Sequence, residues 1–188
     1  MITNSGANQS ILGSNWFVLE ETDRTTSVEG WALGLSRDNM KIINGITKTS
    51  LPTGETILLR VNEGVYLGEG DSLLSSNQVG HNGIHIDHNI HFDSGYIITS
   101  HDVGFDLPLT QRGGLTFVNI AKPTEDELER YPIMQLTEDL PWDPNNICTP
   151  SSFANLSRAC LPSHTNAEIK TLQHRFAHRN LETTEKTL

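Results

Sequence analysis

Cysteine is scarce in this chain of 188 residues, and basic side chains are outnumbered by acidic ones. The two cysteines, Cys148 and Cys160, cannot form a disulfide framework, so a reducing compartment is expected. Thirteen Lys and Arg against 23 Asp and Glu argue against a general binder of nucleic acid or anionic membranes. No apolar run reaches the roughly 18 to 20 residues of a membrane span, and the first ten residues lack the basic and apolar regions of a signal peptide. We therefore expect a soluble protein in the cytoplasm.

Acidic residues are concentrated in the first part of the chain. Residues 1–150 hold 20 of the 23 acids but 8 of the 13 bases, whereas residues 151–188 hold three acids and five bases. The change coincides with Pro141–Asn146, whose prolines and asparagines disfavour regular structure. The sequence therefore predicts a domain boundary near residue 150.

Short apolar and β-branched runs recur through residues 1–120, and turn-forming pairs such as Asn44-Gly45 and Asn82-Gly83 separate them. The main runs are Ile11–Leu12, Trp16–Leu19, Ile42–Ile43, Ile57–Val61, Gly64–Leu67, Ile84–Ile86, Tyr96–Ile98 and Leu115–Val118. Because no helical pattern lies between them, the sequence predicts a mostly β domain, built as a small barrel or sandwich.

Two helices are predicted after this region. Over residues 124–130, Thr124 can cap a short helix and Glu127 can close a capping box. A longer helix is expected from about residue 165, because Ile169, Leu172 and Phe176 share one helical face and basic residues lie between them. This second helix would be basic and amphipathic.

The most specific local motif is Asn4-Ser5-Gly6-Ala7, which precedes the apolar pair Ile11-Leu12. With an acid at position 4 it would resemble the D-S/T-G-A loop of an aspartic protease. In those enzymes two aspartates, one from each lobe or subunit, share a proton; one activates water while the other donates to the scissile carbonyl. Small residues such as Ser5 and Gly6 let the two loops approach each other closely.

Further motifs follow in the same order as in the protease segment of copia-type retrotransposon polyproteins, and the algal, diatom and fungal variants are the most similar. The series comprises Ser50–Gly68, Ser72–Val79, Gly83–Asp87, Phe105–Leu109, Pro123–Leu128 and Leu136–Pro144. The resemblance covers roughly residues 4–146. It implies a small closed retropepsin-like β-barrel that forms a homodimer, binds an extended peptide or polyprotein segment, and uses neither a metal nor another cofactor.

The resemblance also implies an organisation of the chain. Residues 1–121 would be the retropepsin-like β domain, for which no nucleic-acid partner is expected, and residues 122–150 an acidic, proline-rich extension. Residues 151–188 would be a linker and the start of the next polyprotein segment. In such polyproteins the protease processes Gag-Pol, so a location inside a virus-like particle is an alternative to free cytoplasm. Flap hairpins would come from Gly30–Gly34 to Ile43–Ile46.

The chain departs from this family at the position of the catalytic acid. Asn4 stands in place of the aspartate, beside Ser5 and Gly6, and Asn8 stands where many relatives carry a second one. A neutral amide cannot take a proton from water, and loss of a general base alone costs about 10²- to 10⁴-fold in rate. We therefore expect a catalytically inactive copy. The alternative is a non-catalytic module for dimerisation or peptide binding in a retroelement particle.

An intact D-S-G sequence, Asp93-Ser94-Gly95, competes with the motif at Asn4. It could supply the missing aspartate, but Asp, Ser and Gly all favour turns and bulky Tyr96 follows. We interpret it as a β-turn.

Histidines suggest a third function, that of a metal-dependent hydrolase. The cluster extends from His81 to His101, with acids interspersed, and zinc accepts both ligand types. Alternation along a strand, however, would point several of these side chains in opposite directions. A second candidate set of zinc ligands lies near the C-terminus but lacks a C-x₂-C pair: Cys148, Cys160, His164, His174 and His178.

Overall fold

The computed structural model describes residues 1–30, 36–87, 96–100 and 104–146. Its strands, numbered along the chain, are β1 (Ile2–Asn4), β2 (Ile11–Leu12), β3 (Phe17–Glu29), β4 (Ser36–Ser50), β5 (Thr56–Tyr66), β6 (Leu73–Ser75), β7 (His85–Asp87), β8 (Ile97–Ser100), β9 (Phe105–Pro108), β10 (Thr110–Arg112), β11 (Leu115–Phe117) and β12 (Ile133–Gln135). The helices of the described ranges are α1 (Ser76–His81) and α2 (Glu125–Arg130), and a 3₁₀ turn covers Pro144–Asn146. The predicted mostly β class is confirmed, as is the short helix near 124–130.

The strands form two sheets. In the larger one, neighbours follow the order β10-β11-β1-β6-β2-β5-β4-β3, and β12 pairs in parallel with β5. The smaller sheet has the order β7-β8-β9. Among the described residues the larger sheet ends at β10 and at β3, so the closed barrel expected from the resemblance is not found there. Three register shifts interrupt the β3–β4 pairing, and such bulges bend and twist an edge strand.

One predicted turn is absent from the structure, and one helix was not predicted. The Asn44-Gly45 pair lies within β4 and forms no turn, because Asn44 faces a bulge in β5 and Gly45 makes room for a core side chain. Helix α1, which Ser75 caps by accepting a hydrogen bond from the Gln78 amide, was not predicted. The Asn82-Gly83 turn is present directly after α1, where Gly83 has φ 72°.

Leu12 occupies the centre of the core and depends on two glycines beneath it. The side chain is fully buried among residues such as Trp16 and Ile43. A Cβ atom at Gly64 would lie 2.6 Å from Leu12 Cδ1, and one at Gly45 would lie 2.9 Å from the same atom. Only glycine at these positions leaves room for Leu12. The Leu12 side chain of the short strand β2 therefore packs directly against the backbone of β4 and β5.

Gly64→Ala is expected to reduce the free energy of unfolding by about 1 to 3 kcal/mol, because the added methyl group overpacks the site around Leu12. Urea unfolding followed by circular dichroism measures the change. The matched control is Gly80→Ala, since a Cβ atom at the exposed Gly80 would meet nothing within 4 Å. An Ala at a helical position should be neutral or stabilising. Equal destabilisation by both variants would contradict the packing argument.

The segment that follows β11 packs on the larger sheet. Lys48 Nζ on β4 lies 2.6 and 2.7 Å from the two carboxylate oxygens of Glu127 on α2, and Glu127 also closes the predicted capping box with Thr124. These hydrogen bonds, chiefly those from Lys48, hold the pKa of the Glu127 carboxyl below its ordinary value. Residues Met1–Pro144 form one compact unit. The domain boundaries at 121 and 150 stay predictions.

The predicted amphipathic helix beyond residue 165 lies outside the described residues. None of the helices in the described ranges is long and apolar enough to cross a membrane.

The Lys48–Glu127 pair predicts a pH-dependent contribution to stability. Because the folded-state pKa of Glu127 is lowered, the contribution is present above its ordinary pKa of 4.5 and disappears as the pH falls through the folded-state value. Lys48→Met should therefore destabilise the protein at pH 7, and the difference from the native chain should shrink toward about pH 3. Urea titrations across this pH range test it.

The control for this prediction is Lys41→Met. Lys41 forms an ion pair with Glu21 in which both side chains are more than half exposed, and such pairs contribute little to stability. A Lys48→Met deficit that is unchanged at low pH would contradict the role assigned to Glu127.

Candidate functional site

The Asn4-Ser5-Gly6-Ala7 motif begins where two parallel strands end together. Strand β1 ends at Asn4, which stands in register with Ser75 at the end of β6, and α1 begins at the next residue. Residues Asn4–Ser10, called the N-terminal loop below, therefore start beside the first turn of α1. Ser5 and Gly6 are exposed, and Asn4 is half-buried.

Asn4 shapes the start of the loop through its side chain. Its Oδ1 atom accepts a hydrogen bond of 2.8 Å from the backbone N–H of Gly6. An aspartate at position 4 could accept the same bond, so this turn does not require an amide. The turn at the start of the loop is therefore one that either residue could form. The group present at position 4, however, carries no charge and cannot act as a base.

Side chains at the start of α1 hold the middle of the loop. Ser75 Oγ donates to the Ala7 carbonyl at 2.6 Å, and the Ser75 backbone N–H donates to Ser10 Oγ at 3.1 Å. Asn77 Nδ2 lies 3.4 Å from the carbonyl oxygens of both Ser5 and Ala7. Ser75 and Ser10 are fully buried, so one side of the exposed loop rests on a rigid base.

Gln78 connects the end of the loop to strand β5. Its side chain is almost fully buried, and its Oε1 atom accepts from the Ser10 backbone N–H at 3.0 Å. Its Nε2 atom donates to the carbonyl oxygens of Asn62 and Glu63 at 3.1 and 3.2 Å. An amide supplies the acceptor and the donors that these three backbone groups need, which a carboxylate cannot do.

The two residues that Gln78 contacts form a bulge. Ile43 pairs with Gly64 and Gly45 with Val61, so Asn62 and Glu63 of β5 stand opposite Asn44 alone. Glu63 has φ 59°, a left-handed conformation that is uncommon for any residue other than glycine. Bulges of this kind recur beside functional sites, where they redirect a side chain.

The bulge aims the Glu63 carboxylate into the protein, where the side chain is 8% exposed. It forms an ion pair with Arg24 of β3, and its Oε2 atom lies 3.4 Å from the backbone N–H of Trp142. A carboxylate with these partners is engaged in holding segments together, which leaves it poorly placed for acid–base chemistry on a substrate. No local pattern in the sequence marks Glu63 or Asn62. Gln78 lies within the Leu73–Val79 motif, but the motif assigns it no role.

The structure places only part of the histidine cluster. His81, on α1, has Nδ1 3.4 Å from Glu138 Oε2 and packs edge-on against the Trp142 ring, whereas His85 is exposed on β7. Among the described residues, no three or more His, Cys, Asp and Glu side chains come together as a metal-binding group. The remaining candidates for a metal site lie outside the described residues: His88, His91, His101, Cys148, Cys160, His164, His174 and His178.

The competing D-S-G sequence, Asp93–Gly95, also lies outside the described residues, and its interpretation as a turn stays a prediction. Two cavities of about 220 and 440 Å³ occur in the described region and share the lining residues Thr49, Ser50 and Asn119. Neither is lined by a residue of the N-terminal loop.

Comparisons of the chain with protein-family models, with curated proteins and with solved structures found no match.

Gln78→Met is expected to lower the free energy of unfolding by about 1 to 3 kcal/mol, because the buried Ser10 N–H loses its acceptor. Gln78→Glu should cost more at pH 7, since an ionised carboxylate would face two carbonyl oxygens, and part of the loss should be recovered at acidic pH, where a protonated acid donates. Urea unfolding at both pH values measures these changes.

Asn77→Ala is the control, because the Asn77 amide is exposed and makes only long contacts to the same loop; a change below about 0.5 kcal/mol is expected. A Gln78→Met variant as stable as Asn77→Ala would show that Gln78 does not anchor the loop.

Proposed function

We propose that this chain is a retropepsin-like domain of a copia-type retrotransposon polyprotein in which Asn4 has replaced the catalytic aspartate. The observation that carries the proposal is the N-terminal loop itself. It follows strand β1 and exposes the Ser5-Gly6 pair. The buried side chains of Ser75, which caps α1, and Gln78 in α1 hold it by hydrogen bonds. Pre-organisation of this kind is what a catalytic or binding loop requires.

The proposal includes the finer fold and the partner. Two copies, each of a retropepsin-like fold, would form a homodimer in which each contributes one N-terminal loop, and an extended peptide would lie between the halves. The β3–β4 hairpin is the proposed flap. The distal part of β3 alternates between exposed and half-buried side chains, and the first four residues of β4 are exposed, which leaves this part of the hairpin free to cover a bound segment. The hairpin residues 31–35 lie outside the described residues.

The chemistry at position 4 separates binding from catalysis. A working dyad needs two carboxyl groups that share one proton, one as base toward water and the other as acid toward the peptide carbonyl. Two asparagines supply neither role, so the homodimer would hold a peptide without cutting it. A non-catalytic dimerisation or peptide-binding module is accordingly the second candidate, and the retained Asn4–Gly6 hydrogen bond favours it.

The metal-dependent hydrolase gains no support from the described residues. His81 contacts Glu138 and Trp142, and His85 points into solvent from β7.

Asn4→Asp tests the proposal. In assays on denatured proteins and peptide mixtures at pH 4 to 7, we expect Asn4→Asp to cleave at least about 10²-fold faster than the native chain, because a general base is restored. Activity should follow dimer formation, which size-exclusion chromatography on the same samples measures.

Asn8→Asp is the matched control, since it adds the same charge to the same loop four residues away. Equal activity in the native chain and in Asn4→Asp would contradict the loss of the acid. A folded, dimeric Asn4→Asp chain that binds extended peptides but never cuts them would favour the binding module, and a strict monomer would count against both functions.

A further inference from the structure

The Pro141-Trp142-Asp143-Pro144 sequence is part of the motif series, yet the proposed function gives it no role. A tryptophan between two prolines is presented on a backbone with little conformational freedom, so its side chain can be positioned at low entropic cost. Trp142 is half-buried and lies far in sequence from every segment that it contacts. Residues Leu136–Trp142 are called the strap below.

The start of the strap is anchored to β5, at the bulge and just before it. The backbone N–H of Leu136 donates to the Arg60 carbonyl at 2.8 Å, and Leu136 is fully buried. Thr137 Oγ1 accepts from the backbone N–H of Asn62 at 2.7 Å and donates to the Asn62 carbonyl at 2.9 Å. These bonds fix the start of the strap, which then leads to the N-terminal loop.

Trp142 is the point at which the strap reaches the loop. Its indole Nε1–H donates to the Asn8 carbonyl at 2.8 Å, its backbone N–H lies 3.4 Å from Glu63 Oε2, and the ring of His81 packs on it edge-on. The Glu63 carboxylate therefore holds the backbone of Trp142, and the contact with His81 holds its ring.

The bond to Asn8 holds the part of the loop that α1 does not reach. Ser75 and Asn77 bind the carbonyl groups of Ser5 and Ala7, and Gln78 binds the Ser10 N–H. Asn8 lies between these contacts with its side chain exposed. A hydrogen bond of 2.8 Å from Trp142 to its carbonyl restrains this part of the loop, which the side chains of α1 do not bind.

We infer that Trp142 is a positioning residue for the N-terminal loop, and that the strap is part of the site although it belongs to the segment 122–150 predicted as an extension. The effect of Trp142 on the order of the loop does not depend on protease chemistry. Its effect on peptide cleavage or binding rests on the proposed function.

Amide hydrogen exchange measured by NMR on the full-length native chain and on Trp142→Phe tests the inference. Phenylalanine keeps an aromatic ring against His81 but lacks the indole N–H. We expect exchange at the amides of residues 6–9 to accelerate about 2- to 10-fold, the effect of losing one hydrogen bond, with no change at sheet residues such as Val61. In the native chain, the Trp142 indole N–H should itself be protected from exchange.

Lys48→Met is the matched control, because it removes a different bond between the same segment and the sheet. It should leave loop exchange unchanged. Unaltered loop exchange in Trp142→Phe, equal acceleration at Val61, or an unprotected indole N–H in the native chain would each overturn the inference.

A second measurement separates this inference from the proposed function. In the Asn4→Asp background, Trp142→Phe should reduce kcat with KM nearly unchanged, since it disorders the catalytic loop without touching the peptide. If Asn4→Asp proves inactive, the proposed protease chemistry fails, and the exchange data still decide whether Trp142 positions the loop.

Discussion

The structure depends on how the bulge in β5 satisfies its backbone polar groups. Asn62 and Glu63 are buried and lie opposite a single residue of β4, so strand pairing cannot supply all their hydrogen bonds. Side chains supply them instead. Thr137 binds both backbone groups of Asn62, Asn44 accepts from the Glu63 N–H at 3.1 Å, and Gln9 and Gln78 donate to the Glu63 carbonyl. Four segments far apart in sequence are thereby joined at one point.

This arrangement explains why a glutamate tolerates a left-handed backbone conformation in the interior. Such a conformation costs on the order of 1 to 3 kcal/mol, and a buried carboxylate without partners would cost more. Arg24 and the Trp142 N–H face the carboxylate, so the same residue that strains the strand also ties β3 and the strap to it. The N-terminal loop, which binds the bulge through Gln9 and Gln78, takes its order from this point.

Local patterns predicted the parts of the structure that local forces decide. The mostly β class follows from short apolar runs, and helix α2 follows from the Thr124–Glu127 capping box. The apolar pair Ile11-Leu12 after the N-terminal loop was expected and forms β2, whereas β1, which precedes the loop, was not predicted. Asn44-Gly45 was wrong as a turn because two long-range contacts, to Glu63 and Leu12, override the preference of this pair. The network around Gln78 could not be predicted, since its bonds join residues 15 to 68 positions apart.

The shape of the N-terminal loop and its charge are separable. The hydrogen bonds that fix the loop come from backbone groups and from neutral side chains of Ser75, Gln78 and Trp142, and Asn4 adds a bond that an aspartate could also form. Nothing in this set depends on a carboxylate at position 4. Under the proposed function, replacement of an acid by Asn4 would therefore remove the chemistry without removing the loop. In the proposed dimer it would also remove the repulsion between two like charges, which a working dyad relieves by sharing a proton. Selection for binding or assembly alone would preserve the strap, the bulge and the loop, and would leave position 4 free to change.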